Sequence, residues 1–159
     1  RAHGRPGGGG GLYNGVAAQR EACGPAHLKA VLGTGDLKAL RNVYKASMVA
    51  KEAGRDFIKT STGKEGVNAT PLVTLAMLRQ IRAYHDRTGF LVGYKPAGGI
   101  SAAKDILTYQ FLMKEELGRR WLEPDLFRIG ASSLLADIER QREHHVSGRY
   151  SAFNRHAVA

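Results

Sequence analysis

Two lysines stand at the ends of two short apolar segments, where an amine could attack a carbonyl group. Lys59 closes the segment Asp56-Phe-Ile-Lys59, and Lys95 closes Val92-Gly-Tyr-Lys95. Apolar surroundings and a second ammonium group both disfavour the protonated form of a lysine amine, and a Schiff-base nucleophile must be unprotonated. The two lysines could therefore act as a couple, one attacking a carbonyl and the other tuning it. Alternatively, each side chain extends from a strand end into solvent and has no chemical role.

Glycine and serine residues follow the segment closed by Lys95 and a further apolar segment at residues 126–129, in each case just before the expected start of a helix. They are Gly98, Gly99, Gly130, Ser132 and Ser133. Backbone N–H groups and the helix dipole favour a phosphate at such a place, and glycine lets the phosphate approach the backbone closely. The five residues therefore predict a phosphate site, although the same residues could serve only as turns and helix caps.

The spacing of the apolar segments indicates how these residues are brought together. Four segments, at residues 27–32, 56–59, 90–94 and 126–129, start roughly 30 to 36 residues apart, which is the length of a βα unit. The alternation of short apolar runs with amphipathic stretches predicts an α/β fold with a parallel sheet. A complete (β/α)₈ barrel usually needs about 250 residues. The 159 residues of this chain suit half of such a barrel or a small open sheet.

The helices are predicted from apolar periodicity and from capping residues. Three helical faces are expected: Leu37, Leu40, Tyr44, Ser47 and Ala50; Val73, Met77, Ile81 and Tyr84; and Ile106, Tyr109, Met113 and Leu117. Thr70-Pro71, Ser101 and Ser132-Ser133 mark the starts of three helices. One further helix is expected over residues 12–23. We interpret residues 1–11 as a flexible glycine-rich lead-in, residues 12–150 as the folded unit and residues 151–159 as a tail.

Amino-acid composition restricts the classes of ligand and the cellular compartment that we expect for this chain. The formal net charge is +10, which attracts anions such as phosphorylated metabolites or nucleic acid. Lys and Arg are spread along the chain and often stand beside acids, which disfavours a nucleic-acid-binding face. Cys23 is the one cysteine, so an internal disulfide framework is excluded, and no Cys or His pattern predicts a metal site. No apolar run approaches the roughly 18 residues of a membrane span. Because the chain has one cysteine and no disulfide framework, we expect a reducing, cytoplasmic setting.

Three longer motifs make the chain resemble the deoxyribose-phosphate aldolase family. They occupy residues 56–64 (DFIKTSTGK), 93–99 (GYKPAGG) and 127–135 (FRIGASSLL). The resemblance extends over about residues 26–150, and the segment at 144–150 is similar to the animal form. It implies a (β/α)₈ TIM barrel, of which this chain would carry the C-terminal half, strands five to eight.

The resemblance also implies a chemistry. The family are class I aldolases that reversibly cleave 2-deoxy-D-ribose 5-phosphate into acetaldehyde and D-glyceraldehyde 3-phosphate through an imine on lysine, without metal or organic cofactor. By motif position, Lys59 would form the imine, and Lys95 would tune it and join proton transfer. The positions around the substrate phosphate and hydroxyl groups would be Thr62, Lys64, Gly98, Gly99, Gly130, Ser132 and Ser133.

Three hypotheses for function follow. The first is an aldolase that retains the nucleophile and the phosphate site but has impaired proton transfer. The second is a catalytically impaired barrel fragment that binds sugar phosphates or pairs with another subunit, for instance as a homo-oligomer through exposed strand edges. It arises because the family's proton relay also uses an aspartate from an earlier strand, whereas the resemblance covers only strands five to eight. Some family members also use a C-terminal tyrosine in proton transfer, and Tyr150 is its nearest counterpart here. The third, a nucleic-acid-binding domain, rests on charge alone.

Overall fold

Short strands and long helices alternate along the chain in the computed structural model, which describes residues 9–152, 154 and 155. The elements in order are α1 (Gly9–Cys23), β1 (Lys29–Val31), α2 (Leu40–Glu52), β2 (Phe57–Lys59), α3 (Pro71–Thr88), β3 (Gly93–Lys95), α4 (Ala103–Leu117), a 3-10 turn (Arg119–Leu122) and α5 (Leu134–Ser147). Residues 1–8 of the expected lead-in lie outside the described part, and residues 9–11 belong to α1. No helix in the described part is long and apolar enough to cross a lipid bilayer.

The three strands form one parallel sheet in the order β1-β2-β3. Lys29 pairs with Phe57 and Phe57 with Gly93, while Val31 pairs with Lys59 and Lys59 with Lys95. Because side chains alternate between the two faces of a strand, both of these rows lie on the same face of the sheet. In the row between them, Ile58 and Tyr94 are fully buried and Ala30 is partly buried.

The fourth predicted strand, at residues 126–129, is not a regular strand. It is joined to β3 by two isolated parallel bridges, Tyr94 with Phe127 and Ala97 with Gly130. The N–H of Tyr94 donates to Leu126 (2.8 Å), and the N–H of Gly130 donates to the carbonyl of Pro96 (2.8 Å). Between these bonds the ladder would need an N–H at Pro96, which proline lacks. The sheet therefore has three full strands and not the four that we expected, although residues 126–129 lie where a fourth strand would pair.

The helix starts agree with the sequence at α3 and at α5, whose N-cap is Ser133, and the start of α4 differs by one residue. Thr70 caps α3 by accepting a hydrogen bond from the N–H of Val73 (3.2 Å), with Pro71 in the first turn. The expected faces of α3 and α4 are buried at Val73, Met77, Ile81, Tyr109 and Met113. The cap of α4 is Ala102, one residue after the expected Ser101.

The buried face of α2 is rotated from the predicted one. Leu40 and Tyr44 are exposed, whereas Val43, Ala46 and Lys51 are buried together with the expected Ser47 and Ala50. The helix packs against both α1 and α3. Small side chains between two neighbours permit close approach, and the bulky Tyr44 does not fit there. Apart from Lys51, the residues that α2 buries are smaller than Leu40 and Tyr44, which the prediction had placed on the buried face.

Lys51 is a buried lysine whose ammonium has no hydrogen-bond partner among the described residues. Its Nζ atom lies 5.7 Å from the centre of the Tyr84 ring. Burial, and then the positive charge of Arg87, lowers the pKa of Lys51 from its ordinary 10.5 to about 7. The group costs stability where both the folded and the unfolded chain are protonated, below about pH 7. That cost fades as the pH rises towards 10.5, because the unfolded chain then also loses its proton.

We therefore expect Lys51→Met to stabilise the protein in a pH-dependent way. A shift from 10.5 to about 7 corresponds to about 5 kcal/mol as an upper figure below pH 7, and the gain should shrink as the pH approaches 10. Urea unfolding at pH 6 and at pH 9.5 measures it. Lys45→Met, which removes an exposed lysine from the same helix, is the control. An equal gain at both pH values would contradict the assigned cause.

Candidate active site

The register of the sheet brings Lys59 and Lys95 side by side. They are paired residues of neighbouring strands, and each is the last residue of its strand. Both side chains are partly buried on the face of the sheet opposite to the helices that cover Ile58 and Tyr94. The two amines therefore belong to one site, at the carboxyl edge of the sheet where α/β folds bind ligands.

The site is strongly cationic. Burial lowers the pKa of Lys95, and the charges of Lys29, Lys59 and Arg128 lower it further. Among the described residues none of these four cations forms an ion pair. An excess of positive charge in which none of these four cations is paired with a carboxylate suits an anionic ligand and favours deprotonation of an amine.

Two buried hydroxyl residues after β2 hold the loop that follows β3. The Thr60 hydroxyl donates to the Ala97 carbonyl (3.0 Å) and accepts from the Ala97 N–H (2.9 Å). The Ser61 hydroxyl lies 2.7 Å from Oδ1 of Asn68 and 2.9 Å from the Ala97 carbonyl oxygen. Thr60 and Ser61 are fully buried. These bonds fix the two loops that carry most of the predicted phosphate residues, a role that the sequence analysis did not assign.

Glycine is required at two positions of the site because neighbouring atoms leave no room for a Cβ atom. A Cβ atom on Gly98, whose φ is +90°, would lie 2.5 Å from Cβ of Asn68. A Cβ atom on Gly130 would lie 2.7 Å from Cβ of Ala97 and 3.2 Å from Cε of Lys95. Gly130 therefore leaves the space through which the Lys95 side chain extends.

The predicted phosphate residues surround one cleft of about 400 Å³. Its lining includes Lys59, Thr62, Lys64, Gly98, Gly99, Gly130 and Ser132. Lys95 and Ser133 are not part of the lining, although Lys95 lies directly beside Gly130 and Ser133 follows Ser132 at the start of α5. The volume is in the range of small-molecule sites.

The backbone N–H groups of this cleft fall into two sets. Those of Gly98 and Gly130 donate to protein carbonyls, Gly130 to Pro96 and Gly98 to Gly130. Those of Gly99, Ser132 and Ser133 have no hydrogen bond to another described residue. The first set shapes the cleft, and the second set is available to an anion, with Ser132 and Ser133 just before α5 and Gly99 in the loop before α4.

Glu65 joins the loop after β2 to the loop after β1. Its carboxylate accepts a hydrogen bond from the N–H of Gly35 (3.0 Å) and from the N–H of Thr62 (3.5 Å). Its own carbonyl accepts from the side chain of Asn68 (2.8 Å). Because Thr62 and Lys64 belong to the same loop, Glu65 fixes two of the predicted ligand residues. The sequence carried no signal for this role, since it depends on how two distant loops meet.

The tail tyrosine is held away from the cleft. The Tyr150 ring stacks on His144, with centres 4.0 Å apart, near the C-terminal end of α5. Ser132 and Ser133 lie at the other end of this helix of 14 residues, which is about 21 Å long. Tyr150 therefore does not contribute to the site in this structure. The described residues also contain no group of three or more His, Cys, Asp or Glu side chains that could hold a metal ion.

Sequence comparison identifies relatives over most of the chain. Residues 12–139 match the family model described as DeoC/LacD family aldolase. The deoxyribose-phosphate aldolases of Mus musculus, Bos taurus and Homo sapiens are 64%, 62% and 62% identical to it over 143 residues. The match covers 90% of this chain and 45% of each relative. The chain thus spans about half the length of the curated relatives it matches.

Solved structures agree with the fold. A crystal structure from Toxoplasma gondii, named provisionally as a deoxyribose-phosphate aldolase, matches with a TM-score of 0.76 and 25% identity, over 89% of this chain and 54% of that one. A similarly named structure from Coccidioides immitis has a TM-score of 0.63 and 25% identity, over 82% and 45% of the two chains. The predicted α/β fold of half a TIM barrel, with parallel strands alternating with helices, is confirmed.

We expect Glu65→Ala to loosen the cleft locally. Loss of the carboxylate removes the acceptor of the Gly35 and Thr62 N–H groups, and a hydrogen bond contributes about 1 kcal/mol. Exchange of these two amide hydrogens with solvent, followed by NMR, should therefore become roughly 5- to 10-fold faster. Glu115→Ala on the exposed face of α4 is the control. Unchanged exchange at both amides would show that Glu65 does not hold the loops together.

Proposed function

Because the chain belongs to the DeoC/LacD family of aldolases, we propose that it is a class I aldolase acting on 2-deoxy-D-ribose 5-phosphate. The products would be acetaldehyde and D-glyceraldehyde 3-phosphate, formed reversibly in the cytoplasm as part of deoxyribose phosphate catabolism. The observation that carries the proposal is the pairing of Lys59 with Lys95 beside a cleft with unpartnered backbone N–H groups. The amine couple would react with an aldehyde and the anion site would bind a phosphate, so together they suit a phosphorylated aldehyde.

Lys59 is the proposed nucleophile. Its neutral amine attacks the C1 aldehyde of the open-chain sugar, and loss of water from the carbinolamine leaves a protonated imine. This iminium withdraws the electron pair of the C2–C3 bond when the C3 hydroxyl gives up its proton. Cleavage releases D-glyceraldehyde 3-phosphate and leaves a two-carbon enamine on Lys59. Protonation of the enamine at C2 and hydrolysis of the imine then release acetaldehyde and the free amine.

Lys95 is the proposed carrier of the proton. The burial and the surrounding positive charges that lower its pKa favour the neutral amine, which can accept the proton of the C3 hydroxyl. The resulting ammonium then returns a proton to C2 of the enamine. Its place beside Lys59 and its path past Gly130 support this role. No cofactor enters these steps, because the imine itself is the electron acceptor.

The cleft would hold the substrate phosphate. The N–H groups of Gly99, Ser132 and Ser133 would donate to its oxygens, with the dipole of α5 favouring the negative charge. Thr62 and Lys64 line the same cleft and would add a hydroxyl and a positive charge. Gly98 and Gly130 would give the phosphate room without donating to it.

A second candidate function is a fragment that binds sugar phosphates without turnover, or that pairs with another subunit. The match to only 45% of each curated relative favours it. So does the outer edge of β1, which has no partner strand among the described residues and leaves Val31 45% exposed. Such a chain could form the imine and still lack groups that complete proton transfer.

The first test is imine trapping with acetaldehyde and borohydride, read as intact mass and mapped by peptide analysis. We expect one added ethyl group on Lys59, none in Lys59→Ala, and slower trapping at neutral pH in Lys95→Leu. Lys114→Ala, an exposed lysine of α4, should react like the unchanged chain. Trapping that is the same in Lys59→Ala would overturn the assigned nucleophile.

Measuring the turnover of 2-deoxy-D-ribose 5-phosphate distinguishes between the two candidate functions. If the chain is an aldolase, it should release D-glyceraldehyde 3-phosphate from 2-deoxy-D-ribose 5-phosphate, detected through a coupled dehydrogenase. Imine trapping without release of this product would favour the fragment that binds without turnover. Gel filtration of the same sample shows whether the form that reacts is a monomer or a dimer.

A further inference from the structure

The side chain of Asn68 connects two of the loops that form the cleft, although Asn68 is not among the described residues that line it. Its Oδ1 atom accepts a hydrogen bond from the hydroxyl of Ser61 (2.7 Å), and its Nδ2 atom donates to the carbonyl of Glu65 (2.8 Å). Thr62 and Lys64, which line the cleft, stand between these two partners in the chain. Asn68 therefore anchors the loop after β2 on both sides of the two residues that would meet an anion.

The same side chain packs against the loop after β3. A Cβ atom on Gly98 would lie 2.5 Å from Cβ and 2.6 Å from Cγ of Asn68, so the asparagine lies directly against this glycine. A Cβ atom on Gly63 would lie 3.8 Å from Cα of Gly98, which shows that the two loops are also close at their backbones. One half-buried side chain thus contacts both loops, by hydrogen bonds on one side and by packing on the other.

The packing contact falls on a turn that exposes a free donor. Gly98 and Gly99 have φ of +90° and +79°, the left-handed region that favours glycine. The N–H of Gly98 donates to the carbonyl of Gly130 (3.4 Å), and the N–H of Gly99 has no hydrogen bond to another described residue. Two consecutive glycines are intrinsically mobile, and ordering them when a ligand binds would weaken the binding. Asn68 supplies a neighbour that restricts this turn before a ligand arrives.

We propose that Asn68 is a positioning residue of the cleft, which holds Thr62 and Lys64 on one loop and Gly99 on the other in place for a single anion. It acts through the two loops and does not touch the reacting atoms. The link between the loops is independent of any reaction. Only its use, in holding the phosphate of a sugar substrate, rests on the proposed function.

The link is tested without a ligand by ¹⁵N relaxation of the full chain. Asn68→Ala removes both hydrogen bonds of the side chain and keeps the Cβ atom that packs against Gly98. The backbone order parameters of Thr62 and Gly99 should both fall in this variant, from roughly 0.85 towards 0.6, because the two loops lose their common anchor. Unchanged order parameters at both residues would overturn the proposal.

Asn42→Ala is the matched control, because the Asn42 side chain also donates to a backbone carbonyl, that of Leu37 (2.9 Å), away from the cleft. It should leave the order parameters of Thr62 and Gly99 as they are. An equal fall in Asn42→Ala and Asn68→Ala would overturn the proposal, because the loosening would then be general.

A second variant keeps the link testable if amide spectra show that Asn68→Ala does not fold. Asn68→Asp has nearly the same shape and keeps the acceptor of the Ser61 hydroxyl, but an oxygen replaces the donor to the Glu65 carbonyl. The order parameter of Thr62 should therefore fall in this variant as well. An unchanged value would show that the bond to Glu65 does not hold the loop.

The use of the link is measured by titrating inorganic phosphate at fixed ionic strength, followed at the amide signals of Gly99 and Ser132. The Kd should rise about 5- to 10-fold in Asn68→Ala, by the loss of about one hydrogen bond's contribution, and stay the same in Asn42→Ala. An equal Kd in Asn68→Ala and the unchanged chain would overturn the role in anion binding.

Imine trapping with two sugars relates the link to the proposed reaction. The preference for 2-deoxy-D-ribose 5-phosphate over 2-deoxy-D-ribose should fall by the same factor in Asn68→Ala. An equal loss with both sugars would overturn the proposal, because the effect would then lie at Lys59 and not at the phosphate. Absence of imine in the unchanged chain would contradict the proposed function, and the order parameters would still decide the link between the loops.

Discussion

Mutual repulsion among cations on one face of a short parallel sheet is the interaction around which this structure is organised. The register of β1, β2 and β3 sets Lys29, Lys59 and Lys95 on that face, and the bridged segment adds Arg128. Among the described residues no carboxylate pairs with any of the four. This clustering of positive charge lowers the free energy of unfolding, and burial of the apolar residues on the other face of the sheet offsets the loss. The same clustering lowers the pKa of Lys95, at the place where the proposed reaction uses an uncharged amine.

The loops around the lysines are fixed by neutral groups, so they add no charge that would cancel this effect. Thr60 and Ser61 hold the backbone of Ala97 through hydroxyl hydrogen bonds. Gly98 and Gly130 permit the close approach of neighbouring loops. The one carboxylate of the loop after β2, Glu65, is directed to the N–H groups of Gly35 and Thr62. None of the described residues that line the cleft is acidic, so the lining presents positive charge and backbone N–H groups to an anion.

Local sequence signals predicted β2, β3, the Thr70 cap of α3 and the faces of α3 and α4, because each depends on residues within a few positions. The lysine couple was predicted as well, since parallel strands align their carboxyl ends. The signals failed where distant parts of the chain decide the outcome. Pro96 interrupts the fourth strand by removing a donor from its neighbour, and α2 buries its small residues because it lies between two helices. Ser61 and Glu65 gain their roles only through contacts between loops.

The open edge of β1 gives the cationic face a second consequence. An unpaired strand edge is a template on which another chain can add a strand, and proteins commonly protect such an edge with lysine. Lys29 stands on that edge strand, so a second copy approaching edge to edge would bring a matching set of ammonium groups against it. The positive charges that lower the pKa of Lys95 therefore also disfavour the edge-to-edge addition of a second copy. Salt, by screening them, weakens both effects together.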